Sequence, residues 1–145
     1  MKKQTDVSAR GSVQLIKLLN TALKIEYSLI VHYPRLASEI QDDETRKLAL
    51  ELGTASVAHA DIVARAITKL GGKPVWAFTP LPDNQNIVNI FQDQLKKQEE
   101  SYKLHLEAAS LISPDTLAAA FESLAADEKR HIEMVKRILQ KLSHS

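Results

Sequence analysis

Residues 121–139, FESLAADEKRHIEMVKRIL, decide the fold. Leu124 and Ile138 stand seven positions either side of His131, and Phe121 and Val135 stand seven either side of Glu128. Carried outward, Leu117 joins the first series and Leu142 the second. Glu128 and His131 thus take slots in which such a helix presents leucine to a core. Residues three apart are neighbours on one helical face, so a carboxylate and an imidazole enter apolar surroundings together. An unpaired charge there is costly, and it neutralises, pairs or binds a cation.

The same periodicity organises the rest of the chain. A first helix is expected from about Ser12 to Ile40, with Leu15, Ala22, Leu29 and Leu36 in one slot and Leu19, Glu26, Tyr33 and Ile40 in the other. Pro34 should bend it without ending it. A turn at Gln41-Asp42-Asp43 supplies Asp42 or Asp43 as cap for a second helix, which runs to Leu70 and stops at Gly71-Gly72 and Pro74. The third helix is read from an Asp83-Asn84 cap, carrying Val88, Phe91, Leu95, Glu99, Tyr102, Leu106 and Ala109 inward. Ser113-Pro114-Asp115 opens the fourth, with Ser113 as cap and proline at the first helical position. Met1 to Ala9 and Ser143 to Ser145 are expected to be loose ends, leaving an ordered core of about 12–142.

Between the second and third helices lies Gly71 to Asp83, rich in proline and containing Trp76 and Phe78. The second helix is roughly 40 Å long at about 1.5 Å per residue, and an extended segment of about a dozen residues reaches as far. The connection can run the length of the bundle and set the second and third helices parallel, the topology with one long crossover. A simple up-down bundle with an oversized loop is the competing arrangement.

Composition fits one all-α domain. Apolar residues make up 44% of 145 with only 5% aromatic, and four glycines leave few turns for a sheet protein. The formal charge of +1 carries no strong field. The basic residues Lys96, Lys97, Lys129, Arg130, Lys136, Arg137 and Lys141 are interspersed with acidic ones, as on solvated helix faces, which speaks against nucleic acid. Cysteine is absent, which removes disulfides, thiolate metal sites and thiol nucleophiles, so any metal must use oxygen and nitrogen ligands. No run approaches the roughly 20 apolar residues of a membrane span, and none of signal-peptide type follows the start. A soluble cytoplasmic protein is expected.

Glu26, His59 and Glu99 each fall near the middle of a helix, in core slots, on the first, second and third helices. With Glu128 and His131 they bring five potential ligands to one level of the bundle. No inward Lys or Arg is available to pair them. Carboxylate and imidazole without thiolate suit iron, manganese or zinc.

These residues carry a resemblance. Glu26 with Tyr33 seven positions on, His59-Ala60-Asp61 followed by Arg65 and Leu70-Gly71-Gly72-Lys73-Pro74, Asp93 followed by Glu99, and Asp127-Glu128 through His131 together resemble the ferritin-like superfamily, above all bacterioferritin and rubrerythrin-type bundles. The resemblance spans nearly the whole chain. It implies a carboxylate from each of the first and third helices, a Glu-x-x-His from each of the second and fourth, a metal set of Glu26, His59, Glu99, Glu128 and His131, and one or two iron ions.

One position departs from that pattern: Ser56 stands where the second helix should carry a glutamate three residues before His59. Glu26, Glu99 and Glu128 then leave two divalent ions one negative charge short. A hydroxide, an oxo group or a small anion beside Ser56 could fill the gap. Alternatively one ion binds through Glu99, Glu128 and His131 with Glu26 and His59 near a weaker position, or the scaffold is degenerate and its polar cluster holds water. The resemblance implies oxidation of iron by dioxygen or peroxide, of ferroxidase or peroxidase type. The rival is a non-catalytic bundle that binds a metal, a small ligand or a partner. Haem is not expected, because Val57 stands where bacterioferritins carry the ligating methionine, and the short tail after the fourth helix favours a homodimer over a storage shell. Tyr33 and Tyr102 are expected to flank the site, and His32, His105 and His144 to lie at the surface or termini.

Overall fold

The apolar series become buried stripes on four helices. The computed structural model describes residues 2–82 and 86–144, with side chains from residue 12 onward. Among these residues the chain forms α1 (Lys2–Ala37), α2 (Asp43–Lys69), α3 (Ile87–Leu111) and α4 (Asp115–Ser143), and no strand. All eight core slots read on α1, from Leu15 to Ile40, are buried, as are Leu52, His59 and Ala66 on α2.

Most helix ends follow local chemistry. Helix α1 continues through Pro34 and tightens where the Glu39 and Ile40 amides bond the Leu36 and Ala37 carbonyls at 3.0 Å. Those three-residue bonds end the helix before Ile40. Asp42 caps α2, its carboxylate accepting from the Thr45 amide at 2.9 Å and the Thr45 hydroxyl at 2.6 Å. At the other end Gly71 takes φ +85°, so that its amide reaches Thr68 and that of Gly72 reaches Ile67, the paired bonds of a Schellman stop.

Three boundaries differ from the sequence reading. Helix α1 begins at Lys2, so residues expected to be loose up to Ala9 are helical, Met1 lying outside the described residues. Asn86 caps α3, accepting from the Asn89 amide at 2.9 Å; the expected Asp83-Asn84 cap lies outside the described residues. Pro114 takes the cap place of α4 itself, because its backbone is extended at ψ 176°, which moves Ser113 one residue outside the cap.

Helix α1 pairs with α2 and α3 with α4, and smaller seams join α1 to α3 and α2 to α4. The crossover runs beside α1 in the direction of that helix. Asn20 bonds Lys73 and Val75 at 3.3 and 2.8 Å, the Ser28 hydroxyl accepts from the Thr79 amide at 2.9 Å, and the His32 ring bonds the Thr79 carbonyl. Tyr27 meets Trp76 and Phe78 edge-on at 5.5 and 5.6 Å. The segment thus travels most of the bundle's length, and α2 and α3 lie parallel, as the crossover topology requires.

The core is divided at mid-height. One apolar cluster gathers Leu15, Leu19, Leu23, Val63, Ile67, Ile112, Phe121 and Leu124. The other gathers Leu29, Tyr33, Leu36, Leu52, Ile90, Phe91, Val135 and Ile138. Between them lies a buried polar layer to which every helix contributes.

Candidate metal centre

Each helix places its polar residue in this layer because the apolar residues a turn or two above and below are anchored. Leu19 and Tyr33 hold Glu26, Leu52 and Ala66 hold His59, and Leu124, Val135 and Ile138 hold Glu128 and His131. Glu26 and Glu128 are 0% exposed, His131 2% and His59 3%.

His59 sits between the two carboxylates. Its Nδ1 lies 2.9 Å from Glu128 Oε1 and 3.3 Å from Glu26 Oε2. Its Nε2 lies 3.1 Å from an oxygen of Asp127, a half-exposed side chain on α4. The Ser101 hydroxyl donates to Glu26 Oε1 at 3.0 Å and shares a 3.1 Å contact with His105 Nε2. That nitrogen stands 4.0 Å from Glu26 Oε1. One donor atom from each of Glu26, His59, His105 and Glu128 falls within 4.8 Å of the others, and all four residues are buried.

Protons hold this arrangement together in the absence of a cation. Burial raises the Glu26 pKa to about 8, aided by Glu128 nearby. Burial also opposes ionisation of Glu128, yet contacts with His131 and His59 outweigh it and hold the acid low. His59 would be kept neutral by burial, but Glu128 and Glu26 carry its pKa up to about 10. Burial pulls His105 down to about 4, leaving the neutral imidazole that ligates metals. Even so, Glu26 Oε2, Glu128 Oε2, His105 Nδ1 and His131 Nδ1 are buried without a hydrogen-bond partner. Buried carboxylate oxygens that accept no hydrogen bond are what a cation would satisfy.

Three of the five expected ligands, Glu26, His59 and Glu128, come together. His131 lies beside them, its ring stacked on His59 at 5.2 Å and its Nδ1 3.9 Å from Glu128 Oε2. Glu99 does not join, and this corrects the sequence reading: it is exposed. On α3 the buried residues are Ile90, Phe91, Gln94, Gln98, Ser101, His105 and Ala108, a face that shares only Phe91 with the expected one. The physical reason is hydrogen bonding across to α1. Gln94 donates to His32 Nδ1 at 3.1 Å, Gln98 to the Tyr33 hydroxyl at 3.1 Å, and Ser101 to Glu26.

That rotation changes other assignments. Tyr33 is buried against the layer, but Tyr102 is only partly buried and lies under the Lys129 ammonium, 5.8 Å from its ring centre. His32 and His105, expected at the surface, are 1% and 0% exposed. Ser56 is buried, its hydroxyl returned to the Leu52 carbonyl at 3.0 Å. Sequence reasoning missed His105 and the role of Asp127. The available signal for His105 was its position four residues after Ser101 and seven after Gln98, a polar stripe at helical spacing.

Residues 17–139 match the model of the rubrerythrin family. A ferritin-like, diiron-carboxylate protein from Bacillus anthracis superimposes with a TM-score of 0.78 at 24% identity, over 89% of this chain and 97% of that one. The bacterioferritin-related protein of Bacteroides fragilis, described as a dodecameric thioferritin, gives 0.77 at 17% identity, over 99% and 96%. The bacterioferritin of Desulfovibrio desulfuricans, with its diiron site, gives 0.75 at 18% identity, over 94% and 84%. No curated protein matches the chain. These likenesses identify the fold as a ferritin-like four-helix bundle.

Proposed function

Because the chain belongs to the rubrerythrin family, we propose that it is a ferritin-like metal-binding protein whose natural ion is iron. The observation that carries this reading is the pair Glu26 and Glu128, buried at 0% exposure with an oxygen on each that accepts no hydrogen bond. Two buried carboxylates repel unless a proton or a cation stands between them. Imidazole and carboxylate donors suit iron and would also accept manganese or zinc.

The residues divide the work. Glu26 and Glu128 supply the negative charge. His59 offers Nδ1 inward while Asp127 engages Nε2, which fixes the ring and its tautomer. Ser101 orients Glu26, and the apolar clusters above and below keep water out. Iron bound here would supply electrons for reaction with dioxygen or peroxide, so ferroxidase or peroxidase activity is part of the proposal. Val57, exposed on α2, offers a haem iron no donor.

A non-catalytic binding role has its own support, in the closure of the layer at 0–3% exposure and in Ser56, whose hydroxyl is already committed to Leu52. Self-association as a dimer and a cytoplasmic location complete the reading. No helix among the described residues is long and apolar enough to cross a membrane.

The deciding experiment adds ferrous iron to the metal-free protein without oxygen and then admits air. Bound iron, followed by oxygen uptake and a rise in near-ultraviolet absorbance, supports the oxidase. Iron that binds and stays ferrous supports the binding role. Failure to bind iron, manganese or zinc overturns the proposal.

A further inference from the structure

The family resemblance implies four carboxylates around two ions, and the layer found here holds two. Ser56 stands on α2 in place of a carboxylate. On α3 the inward residues at this level are Gln98, Ser101 and His105, while Glu99 is exposed. The Gln98 amide nitrogen is engaged by the Tyr33 hydroxyl. Helix α3 therefore offers an imidazole where a carboxylate was expected.

Charge and size both follow from that exchange. Glu26 and Glu128, ionised together, neutralise one divalent ion. A second would leave two positive charges without counterions among residues 0–3% exposed, and desolvating an uncompensated ion costs several kcal/mol. Donors on opposite sides of one ion, each about 2.1 Å from it, lie about 4.2 Å apart. The donor atoms of Glu26, His59, His105 and Glu128 already lie within 4.8 Å of one another. Two ions about 3.5–4 Å apart need a wider ring of donors.

We propose that the layer is a one-ion centre, in which Glu26, His59, His105 and Glu128 hold a single divalent transition-metal ion in place of the family's pair. This rests on the reading that the layer binds metal at all. Two imidazoles and two carboxylates favour zinc, cobalt and ferrous iron over magnesium and calcium, which prefer all-oxygen sites. His131 stays outside this set, stacked on His59 and closing its flank.

The test is native mass spectrometry of the full chain titrated anaerobically with zinc or ferrous iron, joined to NMR of the protein loaded with cadmium-113 and carrying nitrogen-15 histidine. One ion per chain, with cadmium coupling to ring nitrogens of His59 and His105 and none to His131, is the expected result. His105→Gln should weaken zinc binding at least tenfold, whereas Glu99→Gln should leave it unchanged. Two ions per chain, or coupling to His131 in place of His105, overturns the one-ion centre while leaving the metal-binding reading intact. No ion bound overturns both. The stoichiometry and couplings of the unaltered protein decide the matter even if His105→Gln does not fold.

Discussion

His59 Nε2 and the Asp127 carboxylate stand 3.1 Å apart across the α2–α4 seam, joining a 3%-exposed ring to a half-exposed acid. With Nε2–H given to Asp127, Nδ1 faces the carboxylates, donating to Glu128 in the metal-free protein and offering its lone pair to a cation once that proton leaves. Asp127→Asn keeps the size and removes the charge that favours this tautomer. Metal affinity should fall about 10- to 100-fold, the usual loss when a ligand's orienting partner is removed. Calorimetric titration with zinc measures it, and circular dichroism should show an intact fold. Unchanged affinity would mean that the ring is held by packing alone.

Glu26 and Glu128 should respond differently to the same substitution in metal-free protein. Near neutral pH Glu26 largely keeps its proton, so Glu26→Gln replaces a neutral group by a neutral isostere and should change stability by less than about 1 kcal/mol. Glu128 is ionised against His59. Glu128→Gln leaves that imidazole buried without its strongest partner, a loss of roughly 3–5 kcal/mol for a broken buried pair. Urea unfolding at pH 7 compares them, and equal losses would contradict the assignment. Both variants should bind metal more weakly.

His32 sets part of the acid limb of stability. Its Nε2 donates to the Thr79 carbonyl and its Nδ1 accepts from Gln94, so it is held neutral. Burial lowers its pKa, opposed by the Thr79 bond and helped by the Lys97 charge on α3. A lowered histidine contributes fully above its unfolded pKa of about 6.5 and loses that contribution as pH falls toward its folded value. His32→Gln should therefore flatten the decline in unfolding free energy as pH falls below about 6.5, by at most about 1.4 kcal/mol per pH unit. An unchanged slope would show that His105, lowered by the same cause, and the carboxylates account for all of it.

Gly71 tests the α2 stop in isolation. A Cβ built there meets nothing within 4 Å, yet its φ is +85°. Gly71→Ala should cost about 1–2 kcal/mol from backbone conformation alone, read as a lower urea midpoint with unchanged slope. Gly71→Asn should recover part of the loss, since asparagine tolerates this region better than alanine.

The helices most legible in the sequence were those whose apolar series surround isolated ionisable residues. On α1 and α4, apolar residues at every seventh position fix the face, which sets Glu26, Glu128 and His131 inward. Helix α3 was misread because its inner face is polar. Gln94, Gln98 and Ser101 are turned inward by His32, Tyr33 and Glu26, partners 62 to 75 residues away that no local pattern reveals. Leu95 and Leu106 pulled the reading one position round, and Leu106 is in fact 43% exposed. The same partners explain why His32 is inside. Whether an inward polar stripe is core or surface depends on what faces it, and that is tertiary information.

Neither apolar cluster belongs to one hairpin. Each draws residues from all four helices, one toward the Leu15 and Ile112 end and the other toward the Leu36 and Ile90 end. The bundle is thus partitioned along its axis, and the sequence-contiguous hairpins are not its units of cooperativity. Opening should begin at one end, spread across all four helices together and pause at the waist. A cation bound at that waist would be a rivet through the plane where the two halves meet, with its hold on amide exchange extending equally toward both ends.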